Sequence, residues 1–174
     1  MQRTEIIHPI PPFFRAESGI LILGSFPSVK SREQRFFYGH PQNRFWRVIA
    51  AVFGDETPLT IPEKEAFLER RRVALWDSIG RCTIVGSSDS SIRDVVPNDL
   101  RVIVDHAPIR AIFCNGKASL DSFERYIRPT LLRDAVLLPS TSPANAAWSF
   151  ERLVDAWRER IFCAGFSDPF QQDI

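Results

Sequence analysis

ILILGSFPSVKSREQRFFYGHPQNRFW, residues 20–46, is the stretch that decides how this chain folds. Ile20-Leu21-Ile22-Leu23 is an unbroken apolar run that Gly24 ends, the signature of a strand covered on both faces, as in parallel sheets. A helix begins near Arg44, because Phe45, Val48, Ile49 and Val52 recur at helical spacing and Gly54 closes the pattern. Between strand and helix lie about twenty residues of aromatics, basic side chains and turn formers, and a loop that long in a compact domain is usually functional. Phe36, Phe37 and Tyr38 precede Gly39-His40-Pro41, and Asn43 stands at the door of the helix. From Lys30 to Arg47 there are five basic residues against one acid, Glu33. Flat apolar rings beside arginines suit a ligand that is both aromatic and anionic, as nucleotides are.

The same alternation of buried run and helix continues outward. Val73–Asp77, Arg110–Gly116 and Ala135–Leu138 read as three further strands. A helix opened by Pro62-Glu63-Lys64-Glu65 closes on Arg70-Arg71-Arg72, with acids and bases placed to suit its dipole. The segment carrying Ser87-Ser88-Asp89-Ser90-Ser91 reads as irregular, and Asn98 or Asp99 caps a short helix through His106. A helix is expected across 117–127, stopped by Pro129, and a last amphipathic one over roughly 146–162, with Trp148, Leu153, Trp157 and Ile161.

At the N-terminus, residues 1–19 carry His8-Pro9-Ile10-Pro11-Pro12-Phe13-Phe14 and form an extended arm, packed on the domain because Ile10, Phe13 and Phe14 need burial. The tail over 168–174 is expected to be loose. The pattern predicts one domain over 1–174, an α/β protein built as a three-layer α/β/α sandwich around a mainly parallel, about four-stranded sheet. Ligands in such sheets sit beyond the carboxyl ends of the strands. Those ends are Gly24–Ser28, Asp77-Ser78, Asn115-Gly116-Lys117 and Pro139–Asn145, so four polar loops converge on one edge.

The totals describe an ordinary soluble domain, with 44% apolar and 25% charged residues. A net charge of +1 argues against a histone-like binder while leaving DNA binding open, since charge distribution matters more than its sum. The bases are 19 Arg and 3 Lys, a bias toward planar donors that stack and fork onto phosphates. Cys82, Cys114 and Cys163 fit neither a disulfide framework nor a zinc or iron–sulfur spacing, and read as reduced thiols of a cytoplasmic protein. No stretch has the length of a membrane span. There is no GxGxxG, no GK[ST] phosphate loop and no GxSxG elbow, and His8, His40 and His106 have no metal-ligand spacing. No obvious His–acid pair accompanies Ser25, and His40 before Pro41 reads as a hydrogen-bonding turn residue rather than a base.

GSFPS after a strand, FFYGHPQNRFW a dozen residues on, FCNGKAS, and LPSTSPANA after the last strand together resemble the uracil-DNA glycosylase superfamily. Within it the chain is most similar to the hypoxanthine-DNA (deoxyinosine) glycosylase branch, beside the mismatch-specific uracil glycosylases, over roughly residues 5–165. The resemblance implies an enzyme that flips a damaged nucleotide into a pocket and hydrolyses its N-glycosidic bond, the lost pairing and stacking being offset by aromatic contacts. It implies DNA containing a deaminated base as partner, no metal or nucleotide cofactor, and a monomer. Two positions depart from the better-known relatives: Phe26 stands where they carry a water-positioning Asp or Asn, and Leu138 where they carry His or Asn.

By the same resemblance Asn43 becomes the catalytic amide. An amide does not titrate, so it can only hold a water in line with the anomeric carbon of an oxocarbenium-like transition state. Asn is also a preferred N-cap, and the residue pattern alone leaves both roles open. Tyr38 falls where relatives stack a ring on the base, Phe26 floors the pocket, and Asn115 can read a ring N–H and its neighbouring carbonyl. Tyr38 also fits as an ordinary core ring, Phe26 as a common strand-end phenylalanine, Asn115 as a turn residue before Gly116, and Ser28, Lys30, Arg44 and Lys117 as solvated surface residues. Ser140, Ser142 and Pro143 belong to the loop matching the family's DNA-contacting loop, with Ser28, Lys30, Arg44 and Lys117 as phosphate neighbours. Asp77 is a further strand-end polar group. Three lysines without burial signals argue for a monofunctional hydrolase. Uracil or mispaired thymine remains an alternative substrate, and a catalytically silent DNA-binding module an alternative class.

Overall fold

The structure is a computed structural model that describes residues 2–164, so the expectation for the tail over 168–174 lies outside the described residues. The N-terminal segment supplies a short strand, β1 (Thr4–Ile7), and the apolar run behind it forms β2 (Ile20–Gly24), buried at every position. The long loop then holds a six-residue helix, α1 (Val29–Gln34), whose N-cap Ser28 accepts from the Ser31 N–H. After it come α2 (Phe45–Phe53) and α3 (Ile61–Arg70), the latter started by a reciprocal Thr60–Glu63 capping box. β3 (Val73–Asp77) turns at Ser78 directly into β4 (Ile79–Ile84), and β5 (Arg93–Pro97) follows. The described chain continues through α4 (Arg101–Val104), β6 (Ala111–Asn115), α5 (Lys117–Ser122), α6 (Arg128–Leu131), β7 (Ala135–Leu138) and α7 (Phe150–Cys163).

β3, β2, β6 and β7 lie side by side in that order, all parallel, so the expected four-stranded sheet is present. From β2 the chain winds one way to β3, and from β6 the other way to β7. Right-handed crossovers therefore put α2 and α3 on one face and α5 on the other, with α7 packed against α2. The point where the winding reverses, between β2 and β6, is where such sheets open a crevice.

Several details differ from the sequence reading. The segment after β3, read as irregular, contains β4 and β5, which with β1 make a second, antiparallel sheet ordered β1-β4-β5. Register shifts between Ile79, Arg81 and Thr83 break the period-two pattern that would have announced these strands. The helix expected to stop at Pro129 continues to Leu131: a π turn over Phe123–Ile127 shifts the hydrogen-bond register, so Pro129 falls in the first turn of α6, where its missing N–H is harmless. α7 starts at Phe150 rather than near 146, capped by Ser149. α4 is only four residues long, though Asp99 does accept from the Arg101 N–H.

Three buried indoles tie the functional loops to this frame. Trp46 donates to the Phe37 carbonyl at 3.1 Å, Trp76 to Ile10 at 3.1 Å, and Trp157 to Pro139 at 2.9 Å. Each ring fills the core while its N–H fixes one otherwise irregular segment: the long loop, the N-terminal arm and the loop after β7.

Candidate active site

A cavity of about 130 Å³ opens where β2, β3 and β6 end. Drug-sized sites run to roughly 300–1,000 Å³, so this one suits a single flat ring system, fused or not, rather than a whole nucleoside. The cavity brings together Phe26, Tyr38, Asn43, Asp77, Asn115 and Thr141 from five separated segments.

Asn43 does two things at once. Its Oδ1 accepts from the Phe45 N–H at 2.9 Å, an Asx turn leading through the N-cap Arg44 into α2, and from the hydroxyl of fully buried Thr141 at 2.9 Å. The backbone donor fixes which end of the amide is oxygen, so the NH2 group is the end left over. Among the described residues no acceptor engages that NH2, and Asn43 lines the cavity. Thr141 Oγ1 in turn accepts from Asn115 Nδ2 at 2.9 Å, and the Thr141 N–H donates to Asn115 Oδ1 at 3.1 Å. Asn115, Thr141 and Asn43 thus form a chain with every orientation determined. The Asn115 amide also lies close to the Tyr38 hydroxyl without a hydrogen bond of normal geometry between them, and its carbonyl oxygen is already engaged.

Tyr38 lies in the left-handed region (φ 54°), unusual for a bulky residue and costing on the order of 1–3 kcal/mol. Face-to-face stacking on Phe45, centroids 3.9 Å apart and planes 15° from parallel, holds it there. Its Oη is buried without a hydrogen-bond partner. Burial first, and the Asp77 charge second, raise its pKa far above the ordinary phenol value, with the nearby Asn115 amide opposing, so Tyr38 stays a protonated donor. Phe26 is buried at the cavity's edge, with His8 meeting its ring in a T-shaped contact.

His8 is the residue sequence reasoning missed most completely. β1 pairs with β4, and the His8 N–H donates to the Gly80 carbonyl at 2.8 Å, which lays the imidazole against the end of β3. His8 Nε2 stands 2.7 Å from Asp77 Oδ2, both side chains nearly inaccessible. The Ile10 N–H donates to His8 Nδ1 at 3.2 Å, so the ring hydrogen is on Nε2 and Asp77 receives it as a carboxylate. A His–acid pair does exist, contrary to the expectation, between residues too far apart in sequence to give a local signal. Asp89, from the serine-rich segment, reaches the cavity rim and accepts from the Ser25 hydroxyl at 2.8 Å. Surrounding protein, and secondarily the Asp77 charge, raise its pKa, while the Ser25 hydrogen bond lowers it.

The expected DNA-facing residues divide. Ser28, Ser140 and Ser142 line the cavity mouth, and each hydroxyl accepts from a nearby backbone N–H. Pro143 is exposed at the loop tip. Lys117 is 81% exposed and pairs with Asp121, and Lys30 pairs with Glu33. Arg44 is turned inward instead, its guanidinium donating to the carbonyls of Trp148, Ser142 and Asn145, so it braces the loop after β7. His40 Nδ1 accepts from the Gln42 N–H, a turn-forming role. Among the described residues, no group of three or more His, Cys, Asp or Glu side chains could hold a metal ion, and no helix is long and apolar enough to cross a membrane.

Comparison with known proteins agrees with this geometry. The profile of the "Uracil DNA glycosylase superfamily" matches residues 11–162. A protein named "Hypoxanthine DNA glycosylase" from Methanosarcina barkeri (strain Fusaro / DSM 804) is 31% identical over 151 residues, covering 86% of this chain and 94% of the relative. One of the same name from Methanosarcina acetivorans is 31% identical over 143 residues, covering 82% and 90%. The solution NMR structure of a Methanosarcina acetivorans protein, described as a candidate uracil DNA glycosylase, superposes with a TM-score of 0.73 at 29% identity, covering 88% of this chain and 98% of that one.

Proposed function

Because this chain belongs to the uracil DNA glycosylase superfamily, and is a DNA glycosylase, we propose that it hydrolyses the N-glycosidic bond of a flipped-out deoxyinosine in DNA and releases hypoxanthine. The observation that carries this reading is the Asn43 amide, pinned through its oxygen with its hydrogens unengaged at the cavity. Those hydrogens donate to one lone pair of a water and leave the other to attack the anomeric carbon. As the base departs, positive charge builds on the sugar, and a positioned water suffices where a strong base would be needed for a poorer electrophile. Asp89 at the rim is the acceptor for the proton the water sheds. Phe26 walls the base, and the Tyr38 hydroxyl and the remaining amide hydrogen of Asn115 face its edge.

Ser28, Ser140 and Ser142 flank the mouth where phosphates would pass, with Lys117 beside them. Pro143 occupies the gap left in the stack. Among the described residues no lysine lines the cavity, which supports hydrolysis without an amine-driven lyase step.

The test is single-turnover excision from duplexes carrying inosine or uracil. Inosine is expected to be cut faster, and equal or greater rates on uracil would overturn the substrate assignment. Asn43→Ser keeps an oxygen that can accept from the Phe45 N–H but removes the amide, so it is expected to stay folded and lose about 10²-fold in rate. Unchanged excision by that variant would remove Asn43 from the mechanism.

A further inference from the structure

Asp77 has one carboxylate oxygen that the fold does not use. Oδ2 takes the hydrogen of His8 Nε2, whereas Oδ1 accepts from no described donor. Oδ1 lies over Gly24: a Cβ at that position would sit 2.3 Å from Asp77 Oδ1 and 3.3 Å from Tyr38 Oη. Only the missing side chain of Gly24 leaves room for the carboxylate and the phenol to share the cavity floor. One is a pure acceptor and the other an unpartnered, buried donor, side by side.

From this juxtaposition we infer that Asp77 is the specificity-determining residue that reads deamination itself, accepting from the ring N–H that deamination creates while the Tyr38 hydroxyl donates to the adjacent carbonyl. Adenine presents a ring lone pair beside an amino group at this edge, and hypoxanthine presents N1–H beside O6. Cytosine and uracil differ in the same way. A fixed carboxylate accepts from the deaminated edge and repels the lone pair of the parent base, so the normal base is rejected by repulsion as well as by a missing contact. His8 is the positioning residue, since its single N–H sets which oxygen turns to the cavity.

The charge has a second effect. A departing anion is disfavoured beside a carboxylate, which favours a purine, able to leave neutral once N7 has taken a proton from solvent, over uracil, which has no such nitrogen. Guanine and thymine share the edge, and their exclusion falls to the small cavity, which must reject a 2-amino or a methyl group.

This inference rests on the proposed inosine activity, and the experiment separates the two. Wild type is assayed in single turnover on duplexes carrying deoxyinosine or deoxynebularine, whose purine base lacks both N1–H and O6, each rate divided by that nucleoside's rate of acid hydrolysis. The corrected preference for inosine is expected to be about 10- to 100-fold, the worth of a hydrogen bond to a charged group. In Asp77→Asn, whose amide can turn to either base, that preference is expected to shrink to a few-fold. Wild type that cuts inosine but shows no corrected preference, or a folded Asp77→Asn that keeps all of it, overturns this inference and leaves the inosine activity standing. Wild type that cuts no inosine overturns both.

Discussion

Replacing Thr141 with valine removes one oxygen from the centre of the site and nothing else, since the two side chains have nearly the same shape. That hydroxyl donates to Asn43 Oδ1 and accepts from Asn115 Nδ2, both at 2.9 Å, in a fully buried position. Each neutral hydrogen bond contributes about 0.5–1.5 kcal/mol net, so the variant should lose about 1–3 kcal/mol of stability. The lower part of that range is favoured, because Asn43 Oδ1 keeps the Phe45 N–H and no cavity is created. The effect on rate should be larger in proportion. With one anchor gone the Asn43 amide can pivot about its remaining bond, and a misplacement of about 1 Å can cost about 10²-fold. A urea titration gives the stability, and single-turnover excision of inosine under native conditions gives the rate, expected to fall about 10- to 100-fold. Thr141→Ser, which keeps the oxygen, should cut at close to the wild-type rate. A folded valine variant as fast as wild type would show that Thr141 does not hold the reactive geometry.

Three other perturbations probe neighbouring features. Tyr38→Phe removes a buried hydroxyl without a partner, so thermal unfolding should show a gain of about 1 kcal/mol while inosine excision slows; a loss of stability would contradict the burial of Oη. Gly24→Ala drives a methyl against Asp77 Oδ1, and should cost about 1–3 kcal/mol in a denaturation assay together with most of the excision rate. Asp55 is held below the usual carboxylate pKa first by its hydrogen bond to Arg71, which it grips at 2.7 and 2.8 Å across the ends of α2 and α3. A lowered folded pKa means stability that is complete above the unfolded value near 3.9 and vanishes as pH falls through the folded one. The urea midpoints of wild type and Asp55→Asn should therefore differ at neutral pH and converge below about pH 4.

The parallel sheet was legible because its strands carry their own signal. β3 and β7 occupy the residues expected from their apolar runs, and β6 differs only at its ends. The antiparallel sheet was not legible, since β1 is four mostly exposed residues and β4 and β5 are interrupted by register shifts. α1 escaped notice because six residues without an apolar period look like the loop around them. In the site, Asn43 stood out as both cap and amide: its oxygen accepts from the first N–H of α2 although the N-cap position belongs to Arg44, and its side chain lines the cavity. Thr141 drew no attention of its own, because a threonine in a serine- and proline-rich turn signals nothing until its neighbours are placed. Arg44 looked like a phosphate ligand from its loop, and only tertiary contact reveals three carbonyls waiting for it.

The pairing of β1 with β4 has a practical side for anyone preparing this protein. Four residue pairs in register, Thr4 to Ile7 against β4, deliver His8 to its place. An affinity tag or trimming that frays those few residues leaves the parallel sheet and its melting behaviour almost untouched, yet releases the floor of the cavity. On the proposed reading, such a preparation would pass every bulk test of folding and still lose its preference for inosine, so assays are best read on material that keeps Thr4–Ile7 intact.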